Sequence, residues 1–231
     1  MSTGSSRPTP VFIEIGTRKV FATALMWPGW SRSARTEEDA LTTLSDYAPR
    51  YEHSIGAVAR QLGFPVEPVL EIVERLDGGK GTDFGVPEIV CESDMVPLVG
   101  AELERHTALL TAAWRAFDRT ATKYAGRELR RGPRGGGRSI AEMVDHVHGA
   151  DVVFALPVGA ALPPPSKGEP PIDEVRNAFL KALDDRAAGR RHDTGRKTKK
   201  VWPPRYAVRR SAWHSLDHAW EMEDKVLPSH R

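Results

Sequence analysis

The spacing of apolar positions changes near residue 96. Before that point the pattern is mixed. Val11-Phe-Ile-Glu-Ile15 predicts a short strand, and the β-forming run from Lys19 to Trp27 predicts a second, joined by a tight turn at Gly16-Thr17. Pro28-Gly29 is a turn signal. Thr36-Glu-Glu-Asp39 has the form of an N-cap followed by first-turn acids, which suit the positive end of a helix dipole. That helix is expected to reach about Tyr47 and to resume from Tyr51 after Pro49. Val69 to Leu76 predicts a third strand, and Asp77-Gly-Gly-Lys-Gly81 a turn or flexible loop. The segment 11–95 therefore reads as a small α+β unit, preceded by a polar, disordered tail over residues 1–10.

From Pro97 onward the period is that of a helix. Leu103, His106, Leu110, Ala113, Phe117, Ala121 and Tyr124 recur at spacings of three and four and share one face. Ser139 and Glu142 have the spacing of a capping box, opening a second helix with the stripe Ile140, Met143, Val147, Ala150 and Phe154, which Pro157 is expected to stop. A Pro-rich linker (Pro163 to Pro171) leads to a third helix from Ile172. After the loop Gly189 to Lys200, a fourth runs from about Tyr206 to Val226. Four amphipathic helices over 97–228 predict an all-α four-helix bundle with long crossover loops.

Composition narrows the chemistry. The chain has 231 residues, a formal charge of +2, eight His and a single Cys. One cysteine excludes an intrachain disulfide and any all-thiolate metal site, and it suits a reducing compartment. No apolar run approaches the roughly 20 residues of a membrane helix, and the small, polar start has no signal-peptide stretch. A soluble cytoplasmic protein is expected. Charge is uneven: Thr36 to Arg105 holds fifteen acids and five bases, whereas Arg186 to Arg210 holds ten bases and one acid. The basic clusters carry no interleaved aromatics. They read as solvated loops in preference to a nucleic-acid surface, which stays open as the lesser alternative.

If the chain binds a metal, histidines and carboxylates must hold it. His53, His192 and His230 lie in polar or terminal segments. His214 and His218 are one turn apart on one helix face, beside Trp213, Leu216 and Trp220, and both imidazoles can reach one ion. Glu221 lies on that face too, as a fourth ligand, an acceptor from an imidazole N–H or a general base, with Asp217 close by. On the second helix His148 points away from the apolar stripe, while His146 sits at its edge and can turn inward. His106 lies on the stripe of the first bundle helix, either as an inward ligand or, the favoured reading, as a buried hydrogen-bonded histidine. Asp145 and Asp151 read as solvated or as acceptors behind the ligands. Arg209 and Arg210, one turn before His214, read either as binding a substrate carboxylate or as solvated basic residues. Three neutral imidazoles from two helices with an open position are the pattern of a catalytic centre. Three imidazoles suit Zn, Ni, Fe and Cu alike.

The run Ser139-Ile-Ala-Glu-Met-Val-Asp-His146-Val-His-Gly-Ala-Asp151, with Trp213-His214-Ser-Leu-Asp-His218-Ala-Trp-Glu221, resembles the second and last helices of the DinB/YfiT-like superfamily. The resemblance covers roughly Pro97 to Val226. It implies a four-helix bundle, a divalent metal (Zn first, Ni or Fe compatible) on His146, His214 and His218, and, as in several members, a thiol-dependent transferase or isomerase using a low-molecular-weight thiol. The expected function is a metal-dependent enzyme of thiol-transferase or hydrolase type acting on a small molecule, with Glu221 as its base or ligand-orienting group. Lys19-Val-Phe-Ala-Thr-Ala-Leu-Met-Trp-Pro-Gly-Trp30 followed by Thr36-Glu-Glu-Asp-Ala-Leu41 is similar, over about 25 residues, to the HicB-like antitoxin fold. That likeness implies a binding or dimerising module. It carries the rival reading, a non-catalytic protein contacting a protein or nucleic acid, and it is compatible with a homodimer.

Overall fold

In the computed structural model, residues 8–131, 137–163, 170–190 and 201–228 are described. Strand β1 (Thr9–Ile15) is the centre of a four-stranded sheet in the order β3-β2-β1-β4. It pairs antiparallel with β2 (Val20–Ala24) and parallel with β4 (Leu70–Asp77), and β2 pairs antiparallel with β3 (Ser31–Ala34). The alternation of β4, half-buried then exposed along its length, marks one covered face. The strand already begins at Thr9, so the expected tail over 1–10 is two residues too long; residues 1–7 lie outside the described residues.

Helix α1 (Glu37–Asp46) starts where its cap predicts, with the Thr36 hydroxyl accepting from the Asp39 N–H at 3.1 Å. Helix α2 (Ala48–Ile55) carries Pro49 in its first turn, where a missing N–H costs nothing, so the proline begins this helix instead of interrupting one. Short helices α3 (Ala57–Gln61) and α4 (Lys80–Phe84) follow. The glycine-rich segment expected as a loop forms α4 because Thr82 Oγ1 accepts from the Gly79 N–H and Glu88 from the Gly81 N–H. Glu14, fully buried on β1, receives the Glu88 and Ile89 N–H groups at 3.1 and 3.2 Å and so fixes the segment after α4 against the sheet.

The remaining helices are α5 (Gly100–Lys123), α6 (Ile140–Val158), α7 (Ile172–Ala187) and α8 (Pro204–Lys225), which makes eight α-helices and one 3-10 turn (Glu92–Met95) among the described residues. The capping box of Ser139 and Glu142 opens α6 as its spacing predicts. Pro157 does not stop the helix: it sits in the last turn, and the end comes at Gly159, whose φ of +102° supplies the left-handed C-cap. The molecule is thus a mixed α+β structure. One cluster of buried apolar side chains runs through both parts, from Val11, Ile13, Trp27 and Trp30 to Leu109, Leu110, Val208, Leu216 and Trp220.

The sheet unit holds α8 along its whole length. The Trp27–Trp30 turn presses on it at Gly29, where a Cβ would lie 2.7 Å from Leu216 and 3.1 Å from the Ala212 backbone, so only glycine fits. Arg32 on β3 pairs with Asp217 at 2.6 Å, Arg50 on α2 with Glu223 and Asp224, each at 2.8 Å, and the Trp220 indole donates to Ser54 at 2.9 Å. Tyr206 donates to the Glu88 carbonyl, and the Phe21 ring meets Trp213 edge-on at 6.3 Å. A helix clamped at this many points keeps its side-chain register.

Candidate metal centre

His214 and His218 project from one face of α8, and His146 faces them from α6. Their ring centroids are 4.6 to 5.0 Å apart. One ligand nitrogen from each lies within 4.8 Å of the others, and the Nε2 atoms of His146 and His214 are 3.2 Å apart. Two imidazole nitrogens on one tetrahedral Zn²⁺ are separated by about 3.3 Å, so this pair already has the spacing of co-ligands. Burial pushes the His214 imidazole down to about 2, with His218, His146 and Arg210 adding to the effect, and burial also lowers His146. Both are therefore neutral near pH 7, the form that binds metal.

Glu221 accepts a hydrogen bond from His218 Nδ1 at 2.8 Å, which leaves Nε2 as the free nitrogen of that ring. Its other carboxylate oxygen accepts from Lys225 at 2.6 Å. The bond from His218 is the largest influence that draws this carboxyl down to about 2. Of the roles open to Glu221 in the sequence, this is the geometry of the orienting group: both oxygens are engaged, and so acidic a carboxyl is a weak base.

Around the centre, α6 and α8 run antiparallel, since Phe154 lies beside His214 and Arg210 while His146 lies beside His214 and His218. Behind it, four helices are joined by a buried polar layer. Asp151 on α6 accepts from Ser211 on α8 at 3.1 Å and from Arg176 on α7 at 3.2 Å; Arg176 also donates to Asp118 on α5, and the Trp114 indole donates to Ser211. Asp151 is therefore not solvated, as one sequence reading had it. Burial pushes its carboxyl up to about 6, with Arg176 opposing.

His106 is buried at 2% exposure and stands outside the cluster. Its Nδ1 is 2.8 Å from the Glu102 carbonyl, and Arg205 faces its Nε2 at 3.4 Å. This is the hydrogen-bonded core histidine favoured from the sequence. Burial pushes it down to about 4, so the folded state resists protonation that an unfolded histidine accepts near 6.5. The stability it contributes is present above about 6.5 and is lost as pH falls toward 4. In urea unfolding, the drop between pH 7 and pH 4.5 should be smaller by about 2 kcal/mol in His106→Gln than in the wild type. An equal drop would place the titration elsewhere.

His53 is exposed, and His192 and His230 lie outside the described residues, as does the basic run 191–200. Cys91 is buried and its thiol is pushed up to about 12 by burial, which leaves it unreactive. Arg209 does not serve a substrate: it is buried and paired with Asp94, and it also donates to the Ile89 carbonyl at 3.0 Å. Asp217 is taken by Arg32. No helix among the described residues is long and apolar enough to cross a membrane. Comparison with protein-family models, with curated proteins and with solved structures gave no match.

Proposed function

We propose that the chain is a metal-dependent enzyme of thiol-transferase or hydrolase type, with a DinB-like bundle holding a divalent ion, Zn first, on His146, His214 and His218, and a small molecule as substrate. The observation that carries this reading is the set of three imidazoles from two antiparallel helices, gathered within 4.8 Å with no carboxylate or thiolate in the cluster. A neutral ligand set leaves the ion its full double charge, and such an ion supplies a thiolate or hydroxide at neutral pH. The residues of the chain do the rest. Glu221 fixes the His218 ring, burial keeps His214 unprotonated, and the clamped α8 holds the two histidines in register.

The test uses two small electrophiles on the full-length protein: monochlorobimane with a low-molecular-weight thiol for transfer, and p-nitrophenyl acetate for hydrolysis. One of the two should turn over, fall at least about 100-fold after dialysis against dipicolinate, return with Zn²⁺, and be lost in His146→Ala. Turnover that survives both chelation and the substitution removes the reading.

A further inference from the structure

Arg210 lies four residues before His214 on the same face of α8, a rise of about 6 Å. It is 7% exposed, and its Nε and Nη1 atoms are buried with no hydrogen-bond partner among the described residues. Its neighbours show how this fold ordinarily treats a buried guanidinium. Arg209 is paired with Asp94, and Arg176 with Asp118 and Asp151, each leaving one Nη atom without a partner among the described residues. Arg210 has no such carboxylate among the described residues.

Its remaining contacts are a hydrogen bond with Tyr206 and two aromatic rings. The guanidinium carbon lies 5.5 Å from the centroid of Phe154 and 5.0 Å from that of Trp213. Phe154 in turn meets the His214 ring edge-on at 5.5 Å, so one aromatic side chain touches both the arginine and a histidine of the cluster. Rings over the faces of a guanidinium stabilise it and hold it still, but they leave its in-plane N–H groups free. The Trp213 indole N–H is also buried without a partner among the described residues. Arg138, on the exposed side near the start of α6, is close enough to disfavour protonation of both His146 and His214. Unpaired donors therefore adjoin the centre on its buried side and a further cation on its open side. Leaving a buried charge unpaired is costly unless something else pairs it.

We infer that Arg210 is the anion subsite of the metal centre, and that the substrate or co-substrate carries a carboxylate or an oxyanion of similar size, seated one helical turn inward from the metal-bound group. This names a substrate class for the proposed function and rests on that reading for its metal, but the donors are present whether or not an ion binds. The fork of the arginine suits the two oxygens of a carboxylate.

The probes are 3-mercaptopropionate and 3-mercaptopropanol, which share a thiol and a chain length and differ in the charged end. Both are titrated into cobalt-loaded protein and followed by the thiolate-to-cobalt absorption band. The neutral thiol reports the metal centre; the ratio of the two affinities reports Arg210. The wild type should prefer the carboxylate at least about tenfold. In Arg210→Met the preference should fall to about one while the affinity for mercaptopropanol stays within about twofold. Arg210→Met should also unfold at or above the wild-type temperature, because it replaces an unpaired buried charge with an apolar side chain. Should it fail to fold, Arg210→Lys keeps the charge without the fork and should lose at least about threefold of the preference. Equal affinities in the wild type, or a preference kept in the variants, overturn the subsite. If neither thiol gives a cobalt band, the metal reading fails instead, and the same pair followed by tryptophan fluorescence on metal-free protein decides the subsite by the same ratio.

Discussion

The reconstituted wild type should hold one ion per chain, and His214→Ala/His218→Ala less than about a tenth of that. The two imidazoles leave a single remaining ligand, His146, when they are removed together, and one imidazole does not retain a divalent ion against dialysis. His146→Ala is the sharper test, because it alone supplies the α6 ligand and its Nε2 is 3.2 Å from that of His214. It should lose most of the metal although the whole of α8 is untouched. His106→Gln and His148→Ala should retain one ion per chain, since neither residue is in the cluster. The binding has a thermodynamic signature as well. An ion that bridges α6 and α8 binds only the folded chain, so at a thousandfold excess over its Kd it adds about 4 kcal/mol of stability. The unfolding temperature of the wild type should therefore rise on addition of Zn²⁺, and that of the double variant should not. Metal content measured on protein purified without an affinity tag decides it. A full complement in His146→Ala would show that the ion, if any, sits elsewhere.

The histidine cluster was legible in the sequence because it depends on two local regularities. Spacing of four on one helix fixes the relation of His214 to His218 whatever the rest of the chain does, and position relative to the apolar stripe of α6 separates His146 from His148. The long helices were legible for the same reason, with caps that are sequence features: Thr36 for α1 and the Ser139–Glu142 pair for α6. What could not be read is what long-range pairing decides. Ser31–Ala34 has no strand-like alternation, and it is a strand because β2 offers its free edge. Helix α4 forms in a glycine-rich segment because Thr82 and Glu88 bond its first turn. The buried charges were the least visible. Arginine and aspartate count as surface in any hydropathy pattern, so nothing in the sequence marks Arg176 or Asp94, Asp151 reads as solvated or as an acceptor behind the ligands, and Arg209 as a solvated or substrate-binding residue. The adjacent Arg209 and Arg210 were indistinguishable in sequence. Facing different elements of the fold, one is closed by a carboxylate, and the other lies beside the histidine cluster with no carboxylate partner among the described residues.

That contrast gives the second large effect. Arg209→Met should destabilise the protein by about 3–5 kcal/mol, because it leaves Asp94 buried without its counter-charge. Asp94 is 3% exposed. It also accepts from the Cys91 N–H at 3.0 Å, so the 3-10 turn between α4 and α5 depends on the same carboxylate. Arg209 is 3% exposed, stacks over Phe12 of β1 at 4.8 Å and bonds the Ile89 carbonyl, so a single side chain joins α8 to the central strand and to the segment that Glu14 holds. The cost arises from the stranded charge more than from the lost attraction. Asp94→Asn, which keeps the shape and the turn but removes the charge, should therefore recover a part of the loss when combined with Arg209→Met, and the two changes should be far from additive. Urea unfolding of the two single variants and the double variant measures this coupling directly. For a chain of this length 3–5 kcal/mol corresponds to a fall of about 6–20 °C in Tm. If Arg209→Met costs less than about 1 kcal/mol, water or a neighbouring donor must reach Asp94, and the pair would then be a surface contact in energetic terms. The metal site supplies a second readout. Arg209 lies one to two turns from His214 on the same helix, so a variant that loosens α8 should also bind metal more weakly, whereas Arg210→Met, which leaves the clamp intact, should not.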